Sequence, residues 1–400
     1  MFIEILLAIL LGISFGIITG LTPGIHINLV AVTLLTLSPI FLQYTNILSL
    51  AVFIIAMSVT HSFLDPIPSI FLGAPDSDTA LGVLPGHRYL IKGYGLMAVK
   101  LTLIGSFGAL ILSILLYPIL IPVVVYIYPL IENYIAYILI VIILFMILRD
   151  KKRLWALCVF LLSGTLGIIV LTWPNLSNPL FPMLSGLFGI STLAYSIKDN
   201  SSIPEQKVQQ DIKLDKKITI KALLSGQFSG FLTAVLPGVG AATAAVISLQ
   251  ITKNLGDKGF MILMGSINTV NFILSILTLQ TLNKARNGSI VVVKELITNI
   301  SINHILVFLS AVAISGGLAV FLTLLIGKSF SKIITLVNYR KLVTSIIFFI
   351  ILLTIILTGW KGILVLIVST ALGLIPAIVK VARVHAMGCL LLPVLMFFLL

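Results

Sequence analysis

The chain has 400 residues, of which 59% are hydrophobic and only 9% charged. A soluble domain carries about 25% charged residues, so this composition excludes a water-soluble fold and makes lipid the solvent for much of the surface. The net charge of +13 sits in short clusters between apolar runs, not on a basic face with interleaved aromatics; that excludes nucleic-acid binding and reads as the positive-inside bias of membrane loops.

In chain order, the N-terminus lacks a basic n-region and carries Glu4, so it reads as a first membrane segment and not a cleaved signal. The first predicted element is a helical hairpin over residues 2–37, broken at Pro23-Gly24. Spans follow near residues 48–64, 96–116, 134–148, 154–171 and 179–197. A polar stretch, residues 198–221, holds Pro204 and divides the chain; it is the expected cytoplasmic linker. A second hairpin is expected over residues 218–251, broken at Pro237-Gly238. Spans near residues 260–280, 302–325, 343–357, 362–379 and 384–400 complete the chain. A crossing needs roughly 20 apolar residues, and the chain has room for about ten to twelve. The expected class is an all-α polytopic membrane protein of two units, residues 1–200 and 218–400.

The two units resemble each other. Laying Gly12–Leu35 over Gly226–Leu249 matches Gly12, Gly16, Thr19, Pro23, Gly24, Ala31, Val32 and Leu35 with Gly226, Gly230, Thr233, Pro237, Gly238, Ala245, Val246 and Leu249. That is about a third identity, where apolar sequence gives roughly a tenth by chance. The later spans follow at similar shifts. Loop charge then sets orientation. Tyr117–Glu132 and Trp173–Asn178 lack Lys and Arg, whereas Arg149–Arg153 and the linker are basic. In the second unit Lys328–Lys341 and the segment around Lys380 and Arg383 are basic, with only Lys361 between them. Equivalent loops carry opposite bias, so the units are expected to be inverted repeats. Five spans each then require residues 2–37 and 218–251 to be re-entrant, as in secondary transporters.

The broken segments carry the main site candidates. Proline breaks a helix and glycine permits a sharp turn. The helix that restarts offers free N–H groups and partial positive charge, a site for an anion. Thr19, Thr22, Pro23, Gly24, His26 and Asn28 form one candidate loop; Thr233, Pro237, Gly238, Gly240 and Thr243 form its mate. The plain alternative is a Pro-kinked helix packed through small residues. Asn268 and Asn271 share a helix face and either line the site or glue helices together. His61 and Asp65 end the next apolar segment. They are candidates for handling a coupling H⁺ or Na⁺, although Asp65 could equally cap a helix. Arg88, in Leu84-Pro85-Gly86-His87-Arg88, and Arg286 could pair with an anion or serve topology.

Cys158 and Cys389 lie in apolar runs and read as core residues. No metal spacing, cofactor loop or catalytic motif is present, so no enzyme, metal or cofactor is expected.

The Pro-Gly hairpins, Leu84-Pro85-Gly86-His87-Arg88 and Ser266-Ile267-Asn268-Thr269-Val270-Asn271 resemble the large membrane subunit of tripartite tricarboxylate transporters, the TctA-like family, and most closely its shorter archaeal branch. The resemblance implies an ion-driven permease for a small organic anion in the cytoplasmic membrane. It also implies a small membrane subunit and an extracytoplasmic binding protein as partners; a homo-oligomer is compatible with it. One departure is that Ile25-His26-Ile27-Asn28 replaces the small-residue run found at Gly240-Ala241-Ala242-Thr243, so the two loops are unequal. Two other functions fit the residues: a translocase for a polyprenyl (lipid) phosphate, and a membrane scaffold without transport.

Overall fold

Lipid offers no partner for a free backbone N–H or C=O, and a helix satisfies both within one segment. The computed structural model describes residues 2–22, 27–72, 83–196, 204–207, 214–236, 240–252, 255–285, 287–334 and 339–399. Among the described residues every regular element is helical, and eight helical segments are long and apolar enough to cross a membrane. The all-α polytopic class is therefore borne out.

Helices α1 (Phe2–Leu21) and α2 (Ile27–Phe41) flank the first Pro-Gly break. Helix α3 (Ile47–Leu64) begins at Asn46, whose side-chain oxygen accepts the Ser49 N–H at 2.9 Å, and continues through Asp65 into α4 (Pro66–Phe71). Then come α5 (Val83–Ile91), α6 (Gly95–Ile131), α7 (Ile135–Arg149) and α8 (Arg153–Thr172). The next element is α9 (Leu180–Leu184), a π-helical stretch at Ser185–Ile190 and α10 (Ser191–Ser196). Asp215 caps α11 (Lys216–Val235). It is followed by α12 (Ala241–Thr252), α13 (Gly256–Leu282), α14 (Gly288–Leu296), α15 (Ile302–Ile333), α16 (Tyr339–Val379) and α17 (Gly388–Leu399).

Two expectations, on residues 117–131 and on Cys158, are corrected. Residues 117–131 are helical, not loop: α6 runs on because Pro118, Pro122 and Pro129 fall on one face, where a helix can bend without ending. The spans expected at 343–357 and 362–379 both lie within α16, which breaks between them where Gly359 takes φ +69°. Cys158 is exposed; only Cys389 is a core residue.

Contacts between helices define their directions. Gly12, Gly16 and Gly20 lie in ascending order against Phe53, Met57 and His61, and Asn46 Nδ2 donates to Glu4 at 2.6 Å, so α1 and α3 run parallel. Gly226 and Gly230 lie against Ser266 and Val270, so α11 and α13 also run parallel. In each case the intervening helix, α2 or α12, must carry the chain back to its starting end. Ser106 bonds the Gly265 carbonyl and Tyr117 bonds Gln280, so α6 runs with α13. Gly316 lies near Val59 and Thr323 bonds the Phe63 carbonyl, so α15 runs with α3. Against α6 the order reverses, Gly316 facing Leu110 and Gly327 facing Leu96. Thus α1, α3 and α15 point one way, and α6, α11 and α13 the other.

The outer helices repeat one packing motif. Gly388 and Cys389 of the α17 region press on Ser163 and Gly167 of α8, while Gly186 and Leu187 press on Ser369 and Gly373 of α16. Ser-x-x-x-Gly receives Gly-x in both places.

Candidate functional site

The helix directions bring two polar layers together at the middle of the bundle. Pro66 and Pro68 have no N–H, which frees the chain to pass from α3 to α4 at Asp65. Asp65 is only 5% exposed, and its Oδ2 accepts a hydrogen bond from Asn268 Nδ2 at 3.3 Å. A carboxyl group buried this deeply needs a hydrogen-bonding partner, and Asn268 supplies one from α13. One turn earlier on α3, His61 Nδ1 lies 3.2 Å from Thr19 Oγ1 of α1. Thr233 occupies the matching place on α11, its hydroxyl donating to the Gly230 carbonyl at 2.7 Å. Thr19 does the same toward Gly16 at 3.3 Å.

A small cavity of about 20 Å³ adjoins Asn268 between α3, α4, α6 and α13. Such a volume admits one water-sized group. Its polar lining is Ser62, Ser69, Thr102 and Asn268, facing Pro66, Ile70 and Met264. Ser62 and Thr102 donate to the carbonyls of Val59 (2.9 Å) and Val99 (2.8 Å), which leaves oxygen lone pairs as acceptors. Hard oxygen donors beside a buried carboxylate suit H⁺ or a small cation. Sequence reading missed Ser62, Ser69 and Thr102, since hydroxyls in apolar runs usually bond their own helix.

The last turn of α1 reaches this same layer, and α11 passes it before its end. Gly20 lies against His61 and Leu64, next to Asp65; Gly230 lies against Ile267 and Val270, which flank Asn268. Thr22 closes α1, its hydroxyl donating to the Ile18 carbonyl at 2.7 Å. Gly240 opens α12, accepting the Ala244 N–H at 3.0 Å, and a Cβ built there meets nothing within 4 Å. Asn271 is half-buried, one turn beyond Asn268. Pro23, Gly24, His26, Pro237, Gly238 and Arg286 lie outside the described residues, as do the side chains of Asn28 and Thr243.

Arg88 is not brought to this layer. It is exposed and pairs with Asp257 at 3.0 Å, eleven residues before Asn268 and so about 16 Å along α13. Beside it His87 is buried, and desolvation pushes its imidazole down to about 4.

A second ionic contact went unread in the sequence. Asp150 accepts hydrogen bonds from His385 Nε2 (3.0 Å) and from the N–H groups of Lys152 (2.9 Å) and Ala382 (3.2 Å). Burial pulls the Asp150 carboxyl upward, but these bonds outweigh it and hold the group below its ordinary value. The signal was present: Asp150 is the one acid within the basic stretch Arg149–Arg153. Among the described residues no three His, Cys, Asp or Glu side chains gather as a metal site.

The family model for the tripartite tricarboxylate transporter TctA family matches residues 6–388. An uncharacterized protein of Methanocaldococcus jannaschii is 30% identical over 98% of this chain and 99% of its own. No solved structure matches. The chain belongs to the TctA family, as a multi-pass membrane component of a tripartite tricarboxylate transporter.

Proposed function

We propose that this chain is the permease subunit, and that it carries a small organic carboxylate between two inverted units across the cytoplasmic membrane. The observation that carries this reading is that α1 and α11, running in opposite directions, both pack on the layer of Asp65 and Asn268 close to their Pro-Gly ends. Helices that restart from such a layer present free N–H groups toward it, which favours an anion. The open space beside Gly240 supports the same reading. Thr19, Thr22, Thr233, Thr243, His26 and Asn28 supply hydrogen bonds to the carboxylate, with Asn271 along the wall. Arg88 and Arg286 receive the anion at the two mouths.

Transport is driven by an ion gradient in this proposal. The cavity by Asn268, with Asp65 and His61 nearby, holds the coupling H⁺ or Na⁺. A cation there offsets the charge of the carboxylate, so each stabilises the other's binding. The residue 198–221 linker lies on the cytoplasmic side. A small membrane subunit and an extracytoplasmic binding protein complete the system.

The test is a thermal shift of purified protein with di- and tricarboxylates and with a polyprenyl phosphate. A ligand that binds only the native state raises the midpoint. A carboxylate shift that Gly238→Leu abolishes is expected. A shift with lipid phosphate alone would overturn the carboxylate reading in favour of a lipid translocase.

A further inference from the structure

Residues 204–207 of the linker dock on the turn between α5 and α6, whose sequence is Gly93-Tyr94-Gly95. Helix α5 carries Arg88 and has nine residues. Isolated helices shorter than about 12–15 residues are marginal in water. What fixes the ends of α5 therefore decides where Arg88 stands.

Helix α5 closes on a left-handed glycine. Gly93 takes φ +80°, Tyr94 N–H donates to the Tyr89 carbonyl at 2.8 Å, and Gly93 N–H donates to the Leu90 carbonyl at 2.9 Å. This pair of bonds is the Schellman arrangement that ends a helix. Helix α6 starts at once, and Tyr94, its N-cap, gives no side-chain cap. The first N–H groups of a helix need partners from outside it. Gln206 serves both helix ends. Its Oε1 accepts the Gly95 N–H at 2.9 Å, and its Nε2 donates to the carbonyls of Leu90 (3.1 Å) and Pro204 (2.8 Å). Gln206 is only 6% exposed, so these bonds are made away from water, where an unmet amide is unfavourable.

The linker backbone follows this side chain. Lys207 N–H donates to the Gly93 carbonyl at 2.9 Å, and Lys207 Nζ lies 5.1 Å from the centre of the Tyr94 ring. A Cβ on Gly93 would stand 2.8 Å from the Glu205 carbonyl oxygen. Glycine is required there both for its backbone angle and for the close approach of the linker.

We infer that Gln206 is a positioning residue of the permease: its amide ties α5 to α6 and so holds Arg88 at the mouth, beside Asp257. The inference rests on the mouth role proposed for Arg88. Without the Gln206 bonds α5 is in place for a smaller fraction of the time. A ligand that needs Arg88 there binds more weakly by that same fraction.

The test reads hydrogen exchange at residues 86–91 and, by thermal shift, the apparent Kd for citrate and for succinate. Gln206→Leu should speed that exchange about tenfold and raise the Kd about tenfold, the scale of one lost hydrogen bond. Exchange in α8 should keep its wild-type rate. Gln206→Glu at pH 8 is a second variant of the same shape: ionised, it keeps the acceptor for Gly95 and loses both donors, and the same two changes are expected at smaller size. In an Arg88→Ala background Gln206→Leu should still speed exchange but leave the Kd where Arg88→Ala alone puts it. Unchanged exchange in both Gln206 variants overturns the inference. So does a further rise in Kd in the Arg88→Ala background, which would make Gln206 a general brace. Weak binding by Arg88→Ala with normal binding by Gln206→Leu overturns this inference alone. Normal binding by Arg88→Ala, or a wild type that neither acid shifts, overturns the underlying reading and the inference together.

Discussion

Gly265→Ala tests whether the contact of α6 with α13 holds the polar layer in place. A Cβ at Gly265 would stand 2.1 Å from the Thr102 carbonyl oxygen, where ordinary contact begins at 3.4 Å. The obstacle is backbone on both sides, since a Cβ at Gly105 would likewise meet the Ile262 carbonyl at 2.0 Å. Alanine therefore pushes α6 away by about 1.3 Å, because a close-packed interior cannot absorb it locally. Such overpacking costs about 1–3 kcal/mol, partly offset by up to about 1 kcal/mol of better helix propensity. The net loss should be about 1–2 kcal/mol. Thr102 and Asn268 also separate, which widens the cavity between them. The assay is equilibrium unfolding in mixed micelles titrated with SDS, followed by tryptophan fluorescence. Gly317→Ala is the control: a Cβ there meets nothing within 4 Å, so it should be neutral or stabilise by about 0.4–1 kcal/mol. The reasoning fails if Gly265→Ala is as stable as wild type, or if Gly317→Ala is equally damaging.

Other consequences follow from the same geometry. A double-mutant cycle with Asp65→Asn and Asn268→Leu should show a coupling of about 1.5–3 kcal/mol, as expected for a hydrogen bond to a charged group; additivity within about 0.5 kcal/mol would sink the Asp65–Asn268 contact. His87 stays neutral in the fold down to about pH 4, whereas the unfolded chain binds a proton below about 6.5. The unfolded state therefore gains protons first, and stability falls as pH drops through that window, by up to about 3 kcal/mol. His87→Gln should remove that slope from a thermal-shift series between pH 7 and 4. Arg88→Ala should change stability by less than about 1 kcal/mol, because its pair with Asp257 is half exposed. If transport falls while stability holds, Arg88 acts on the substrate; if neither changes, the role proposed for it at the mouth is wrong.

Helix class and approximate spans were legible in the sequence because the bilayer imposes them. Apolar runs of fixed length and Pro-Gly breaks leave few other structures for a chain without water. The pairing of Gly12 and Gly16 with Gly226 and Gly230 could be read as well, since close helix packing needs a small residue every fourth position. The ends of spans were less legible: residues 117–132 read as a loop between spans, yet α6 stays helical through Pro118, Pro122 and Pro129. Exposure was not legible at Cys158, because lipid-facing and core-facing residues are equally apolar.

Partners across the bundle were beyond reach of the sequence. Asp65 and Asn268 are separated by 203 positions, and Asp150 and His385 by 235. Each side chain could be singled out alone, as costly in lipid, but nothing in local pattern says which meets which. The sequence by itself determined that this is a membrane bundle of helices carrying two alike Pro-Gly segments, because hydropathy and residue pattern are local properties. Only the tertiary structure decided that α1 and α11 pack on one layer from opposite directions, that Asn268 holds Asp65 while Arg88 is tied to Asp257, and that Thr102 completes a cavity there. Those are consequences of helix direction and register, which depend on contacts summed over the whole chain.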